Sequence, residues 1–417
     1  MARILAYNSP TPGHVFPAAG MLLELQRRGH EVHLRTSAAD VETLGRLGLR
    51  TAAVDPAIEA IELHDWQARS QAEAQRRVVE FYRQRAELEI PDLGRAMKEV
   101  EPDALVIDIQ TEGAAYAAEA SGLPWASYCP YPPAFRSKDV PPFGPGLAPA
   151  RGRPGRLRDR MLMWYVDRLL ASQVGARNEI RATLGLTPIA VYDEQWLKAD
   201  RLILFTAEPY EYPRSDWPAS VRLVGPGTWE PPADAPSWLA SESRPIVLVT
   251  ASTAYQADER LIATALEAFA REDVALVATT AATDPRQFSV PPNARVEQFL
   301  PHGPIIARAA CVISHGGQGT TQRTLAAGVP VCVVPFCRDQ FDVARRVVLA
   351  DAGTRLHHKR LNPERLRSAV RGAMAKRPGA ARVARGFTAA GGAAAAADAV
   401  EELLPTTAGR TPARLTA

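Results

Sequence analysis

Residues able to do chemistry fall in two places. In the first, His315-Gly316-Gly317-Gln318-Gly319-Thr320-Thr321 follows an apolar run, Ala310-Cys311-Val312-Ile313, that reads as a buried strand. It leads into a helical segment closed by Gly328 and Pro330. Strand, glycine-rich turn and helix start in that order make an anion site. Free backbone N–H groups and the positive end of the helix dipole converge there, and the missing side chains let a phosphate approach. His315 adds a hydrogen bond to the same anion. The next apolar run, Val331 to Pro335, delivers Phe336, Asp339 and Gln340. A carboxylate beside an amide suits vicinal hydroxyls. Phosphate on one side and polyol on the other is what a nucleotide sugar presents; an ordinary phosphate site, or a plain tight turn, would use the glycines alone.

The second place is the loop Ser9-Pro10-Thr11-Pro12-Gly13-His14, between a strand over Arg3 to Asn8 and a helix over Pro17 to Arg28. Gly29 and a strand over Glu31 to Thr36 follow, completing a crossover typical of parallel sheets. Open α/β sheets hold ligands at the carboxyl ends of their strands. An imidazole titrates near neutrality and can take a proton from a hydroxyl there, although the same residue can instead cap the helix start. A base of this kind needs a group that fixes its tautomer. Asp103 to Asp108 is a buried strand with a carboxylate, Asp108, at its far end; helix capping is the other ordinary role for such a residue. No Gly-x-Gly-x-x-Gly occurs, which counts against a nicotinamide dehydrogenase.

The segment from His315 to Gln340 resembles the inverting nucleotide-sugar-dependent glycosyltransferases of the two-domain GT-B fold. It is most similar to bacterial enzymes that decorate macrolides, enediynes and aromatic polyketides, and the likeness runs over almost the whole chain. The resemblance implies two Rossmann-like α/β domains facing across a cleft. It implies that His315, Gly316, Gly317, Gln318, Gly319 and Thr320 bind the diphosphate and that Asp339 and Gln340 hold the donor sugar, with Phe336 beside them. It implies that His14 is the general base and Asp108 its partner, acting by direct displacement with inversion. Ser252 and Thr253, at the end of a strand, are placed to reach the diphosphate; a plain turn is the other ordinary role for such a stretch. Phe299-Leu300-Pro301-His302 resembles the family's aromatic-x-Pro-Gln stretch, with Phe for the usual Trp stacking on the nucleobase and His for Gln. The acceptor side is expected around Phe81, Tyr131, Phe135, Phe143 and Trp164, an aromatic lining suited to a small hydrophobic aglycone.

One position departs from the pattern. Arg323 stands where the family has a glutamate for the ribose hydroxyls, and a cation cannot accept those hydrogen bonds. A dTDP-sugar donor with one hydroxyl fewer, a guanidinium turned to the diphosphate, and impaired donor binding are all compatible with it. The expected donor is therefore a UDP- or dTDP-sugar. No Asp-x-Asp stretch occurs, and neither a metal nor any other cofactor is expected. Alternatives of other kinds are a sugar-nucleotide epimerase and a catalytically silent nucleotide-binding homologue assisting a partner enzyme.

These residues need elements to hold them, and the chain supplies two sets. Its 417 residues are comfortable for two domains, with an apolar fraction of 46% and a charged fraction of 23% typical of globular proteins. A net charge of +3 gives no argument for nucleic acid or an anionic membrane. The four cysteines have no Cys-x-x-Cys spacing and read as reduced structural thiols. No leader precedes the first strand and no apolar run reaches membrane-spanning length, so the expectation is a cytoplasmic monomer or homodimer. Prolines and glycines thicken after residue 209, giving an acceptor domain over 1–224, a linker over 225–243, a nucleotide-sugar domain over 244–404 and a disordered tail over 405–417. The terminal helix is expected to return to the first domain. Arg201 to Phe205 reads as the last strand of the first half. Trp66 to Val100 reads as a charged helix interrupted at Pro91, and Ser127 to Arg153 as a long proline-rich loop. His357-His358 reads as a solvated pair.

Overall fold

The computed structural model describes residues 1–11, 13–64, 70–252, 259–281 and 283–404. Thr253, Trp66 and the 405–417 tail lie outside the described residues. The first half alternates β1 (Arg3–Tyr7), α1 (Val15–Arg27), β2 (Glu31–Thr36), α2 (Ala38–Gly45), β3 (Arg50–Ala53), α3 (Pro56–Glu59), α4 (Gln71–Val100), β4 (Ala104–Asp108), α5 (Glu112–Ser121) and β5 (Trp125–Cys129). It ends with α6 (Gly152–Thr183), β6 (Arg201–Leu204) and β7 (Val221–Leu223). The second half begins with β8 (Ile246–Thr250), α7 (Glu259–Phe269), β9 (Ala275–Thr279), β10 (Ala294–Glu297), α8 (His302–Ile306), β11 (Ala309–Ser314) and α9 (Gln318–Ala326). It continues through β12 (Val331–Val333), α10 (Gln340–Leu349), β13 (Gly353–Arg355), α11 (Pro363–Met374), α12 (Arg377–Ala389) and α13 (Gly392–Glu401).

The strands form two parallel sheets, ordered β3-β2-β1-β4-β5-β6-β7 and β10-β9-β8-β11-β12-β13. Helices cover both faces, which is why β4, β5, β8 and β9 are buried along their whole length and read as continuous apolar runs. Each order reverses once, between β1 and β4 and between β8 and β11. At such a reversal the crossovers leave in opposite directions and open a crevice at the carboxyl ends. Tyr7 pairs with Ile107, so Asp108 emerges beside the loop that carries His14. Thr250 pairs with Ser314, so Ser252 emerges beside His315. Strand order alone therefore sets each chemical pair side by side.

Val15, Met21, Leu22 and Leu25 of α1 share a core with Ala396, Ala397 and Val400 of α13, so the last helix lies on the first sheet. Arg28 adds ion pairs of 2.6 Å to Asp398 and to Glu401.

Three expectations need correction. β7 lies beyond Arg201–Leu204 at the sheet edge; with three residues it is too short to show a period. The proline-rich loop begins later, because Ser127 to Cys129 belong to β5. And α4 runs unbroken through Pro91. An internal proline costs about 3 kcal/mol, but Leu93, Ala96 and Val100 bury against β1, β4 and α5 and hold the helix on course. Between β7 and β8 the chain makes only a short 3-10 turn, Ser237–Ser241; we propose 225–243 as the linker between domains over 1–224 and 244–404.

Candidate active site

Gly13 takes φ +91, a left-handed turn open to a residue without a Cβ. The next residue, His14, makes no capping hydrogen bond with its side chain. Its Nδ1 lies 2.9 Å from Oδ2 and 3.1 Å from Oδ1 of Asp108. The fully buried Asp108 carboxylate also accepts the N–H of Ser9 at 3.1 Å and of Gln110 at 2.9 Å. Burial alone would push this carboxyl up. His14, followed by the Gln110 and Ser9 amides, outweighs burial and holds it below the ordinary carboxylate range. Asp108 thus stays anionic and the proton of the neutral imidazole stays on Nδ1, leaving the lone pair on Nε2. Among the described residues Nε2 has no hydrogen-bond partner. The Tyr131 ring sits 6.0 Å from the imidazole.

The glycine-rich turn follows β11 at the other strand reversal. Gly316 takes φ +106, and a Cβ on Gly317 would sit 2.7 Å from His315 Nε2, so the bare backbone is what lets the imidazole lie against the turn. Gly317 caps α9 without a side-chain hydrogen bond. The N–H groups of Gln318, Gly319 and Thr320 are therefore uncapped at the positive end of the helix. Thr250 Oγ1, Gln318 Nε2 and Thr321 Oγ1 are buried with no hydrogen-bond partner among the described residues. Buried polar atoms are ordinarily paired, so orphans beside an uncapped helix start mark a place for a polar ligand. Ser252 is buried at the neighbouring strand end.

Asp339 caps α10. Burial and the Asp342 charge push its carboxyl up to about 6, against the pull of its own backbone N–H, Arg338 and His14. The imidazole on the first sheet is thus within electrostatic reach of the carboxylate on the second. Gln340 is turned inward: its Oε1 accepts the N–H of Phe336 at 2.8 Å and of Cys337 at 3.1 Å, and its Nε2 donates to Cys337 Sγ at 3.8 Å. Phe336 stacks at 5.5 Å on His358, whose Nδ1 lies 2.8 Å from the Pro335 carbonyl oxygen. The expected solvated pair is half-buried at this end of the cleft, because a ring face is there to stack on.

Phe299 is 71% exposed, while Leu300 packs against the core with Ile305 and Val312. His302 Nε2 meets Thr279 Oγ1 at 3.0 Å, and burial with the nearby Arg323 charge drives its pKa down to about 4. Arg323 is paired with Glu230 at 3.0 Å, and Glu230 also accepts the Gly303 N–H at 2.8 Å. The cation thus brings a carboxylate from the segment between the sheets to the side of α8 and α9.

Residues 263–403 match the family described as "Erythromycin biosynthesis protein CIII-like, C-terminal domain". The chain is 33% identical over 393 residues to 4'-demethylrebeccamycin synthase of Lentzea aerocolonigenes, covering 89% of this chain and 91% of that protein. The chain belongs to the natural-product glycosyltransferases. Solved structures agree in fold. CalG4, the calicheamicin glycosyltransferase, superposes with a TM-score of 0.75 at 22% identity over 97% of this chain and 98% of its own. VinC in complex with dTDP superposes with a TM-score of 0.69 at 22% identity over 96% and 99%. The two facing parallel sheets are the GT-B fold.

The residues expected on the acceptor side of this glycosyltransferase are scattered. Tyr131 stands beside the imidazole, and Phe81 lies half-buried on α4 with its ring 5.2 Å from Tyr82. Phe143 is half-buried on a loop that reaches the second half: Gly144 N–H donates to Asp342 at 2.7 Å and Arg345 donates to the Gly146 carbonyl at 2.9 Å. Phe135 is buried in the core with Ile109, Cys129 and Leu202, its ring 5.7 Å from Trp217. Trp164 is 62% exposed on α6 and its ring contact is with Arg168. Sequence reasoning missed Tyr210, whose hydroxyl donates to Gln318 at 2.8 Å from the opposite half, and it missed Glu230. Nothing local distinguishes either residue. Among the described residues no group of three His, Cys, Asp or Glu side chains is placed to hold a metal, and no helix is long and apolar enough to cross a membrane.

Proposed function

We propose that this glycosyltransferase moves a sugar from a dTDP- or UDP-sugar to a hydroxyl of a small hydrophobic natural-product acceptor, with inversion and without a metal. The observation that carries the reading is the His14–Asp108 pair at one strand reversal, its Nε2 unpartnered among the described residues, together with the uncapped turn at the other. His14 Nε2 takes the hydroxyl proton as the acceptor oxygen attacks the anomeric carbon. The bond from that carbon to the diphosphate oxygen breaks, its electron pair leaving on the nucleoside diphosphate. Attack from the face opposite the leaving group inverts the centre. The amides of Gln318, Gly319 and Thr320, the α9 dipole and His315 take up the charge that a metal ion takes up elsewhere. Asp339 faces the sugar hydroxyls with Gln340 beside it, and Phe299 stacks on the base. Support for the donor comes from VinC, crystallised with dTDP, and for the acceptor class from 4'-demethylrebeccamycin synthase.

The test is incubation of the protein with dTDP- and UDP-glucose and a panel of polyphenolic and polyketide aglycones in excess EDTA. Mass spectrometry detects the product, and the anomeric proton coupling gives its configuration. The expected product is the β-glucoside from the α-linked donor, absent with His14→Ala while that variant still binds the nucleotide. An α-glucoside, or a reaction stopped by EDTA and restored by Mg²⁺, overturns the mechanism. Donor isomerised without acceptor identifies an epimerase, and nucleotide binding with no turnover a silent homologue.

A further inference from the structure

Helix α4 turns most of its charges to solvent, but Arg85 and Glu89, one turn apart, are 2% and 0% exposed. Guanidinium and carboxylate lie 2.6 Å apart. Replacing a buried ion pair by apolar residues of similar volume is often neutral or stabilising, so stability alone gives no reason for this one. Its neighbours do. Arg85 Nη1 donates to Ser9 Oγ at 3.2 Å. The Ser9 hydroxyl also meets Thr11 Oγ1 at 2.9 Å and Gln110 Oε1 at 3.5 Å. Ser9 and Gln110 are the two residues whose backbone N–H groups hold the Asp108 carboxylate. Both arms of that clamp therefore meet at the hydroxyl that Arg85 grips. Glu89 anchors the guanidinium and is itself fixed by the Gly113 N–H at 2.9 Å. There α5 runs so close that a Cβ on Gly113 would sit 2.5 Å from Ala86 Cα. On its other side the guanidinium lies 5.4 Å from the Phe81 ring centre.

We infer that Arg85 is a positioning residue for the His14–Asp108 pair: through Ser9 it fixes the loop between β1 and α1, and so the orientation of carboxylate and imidazole. It joins that orientation to Phe81 on the acceptor side of α4. The inference rests on His14 being the base. A displacement of about 1 Å at a reacting group costs up to about 100-fold in rate, which sets the scale of the effect.

The test is steady-state kinetics with dTDP-glucose and the polyphenolic aglycone the wild-type protein turns over fastest, alongside thermal unfolding. Arg85→Met is expected to lower kcat about 10- to 100-fold with the KM for dTDP-glucose unchanged. Arg85→Lys, which keeps the charge and one donor, recovers part of the loss. Ser9→Ala cuts the same contact without emptying the core; it is expected to lower kcat in the same direction at unchanged Tm, and it decides the matter should Arg85→Met fail to fold. Wild-type kcat in Ser9→Ala, or wild-type kcat in a folded Arg85→Met, overturns the inference. His14→Ala run in parallel separates the two readings. Full turnover in that variant removes the base itself and the inference with it, whereas an inert His14→Ala beside a fully active Ser9→Ala removes Arg85 alone.

Discussion

With Asp108 anionic and bonded to Nδ1, the lone pair of His14 lies on Nε2; an amide in place of the carboxylate reverses this, because its N–H can donate to Nδ1 and favour the other tautomer. Asp108→Asn is therefore expected to lower single-turnover rates by on the order of 10³- to 10⁴-fold while the affinity for dTDP, measured calorimetrically, stays the same. Asp339 yields a prediction of opposite sign for stability. Its folded pKa of about 6 stands above the ordinary 3.8, so its contribution is full below about pH 4 and is lost as the pH rises through 6, where the fold must carry a buried charge. Asp339→Asn removes that burden. Its unfolding temperature should exceed that of the wild type at pH 7 to 8, by up to about 3 kcal/mol in stability, and should match it near pH 4. If Asp339 holds the donor sugar as proposed, turnover falls at the same time, since the sugar hydroxyls lose that carboxylate. His14 and Asp339 were legible as chemistry because type and strand-end position mark them. Arg85 was not: an arginine four residues before a glutamate in a charged helix reads as a solvated face, and its target Ser9 is far away in sequence. The inward turn of the Gln340 amide depends on the shape of the loop from Phe336, which no periodicity encodes.

Between strand and helix, the glycine-rich turn works by what it lacks. A methyl group on Gly317 meets His315 Nε2 at 2.7 Å, so Gly317→Ala must push the imidazole off the turn. The hydrogen bond proposed from His315 to the diphosphate is then lost. Calorimetric titration should show dTDP binding weakened about tenfold, the equivalent of about 1.4 kcal/mol, with the unfolding temperature nearly unchanged because a glycine N-cap has no capping side chain to lose. An unaltered affinity would remove His315 from the anion site. The order of strand, turn and helix around this point was readable because each element carries its own signal in adjacent residues: a buried apolar run, a glycine cluster, a Gly-Pro stop. β7 and the unbroken α4 were not, since both are decided by packing. One is a three-residue edge, and the other keeps a proline inside a helix whose apolar side is already committed to β1 and β4.

At the scale of the whole molecule, the halves meet through a buried charge cluster that sequence reading did not anticipate, because Arg346 lies 135 residues from Glu211. Glu211, fully buried, accepts from Arg346 Nε at 2.9 Å and Nη2 at 2.8 Å. Arg214 lies 3.8 Å from the same carboxylate and donates to the carbonyls of Phe135 and Pro133. Two guanidinium groups thus share one carboxylate at the root of α10, the helix that begins with Asp339 and Gln340. Apolar contact surrounds them, with Ala207 and Tyr210 packing against Leu325, Val331 and Val347. Removing only the anion strands buried positive charge, so Glu211→Ala should cost about 3–5 kcal/mol in urea denaturation. Adding Arg346→Met takes away the cation left most exposed to that loss, and the double variant should recover a large part of the stability instead of summing two defects. Recovery would mean that the ion pair contributes little net energy and serves to fix the rotation of α10, and with it the direction in which Asp339 faces His14. Equal denaturation midpoints for the single and double variants would mean instead that the halves are held by apolar contact alone.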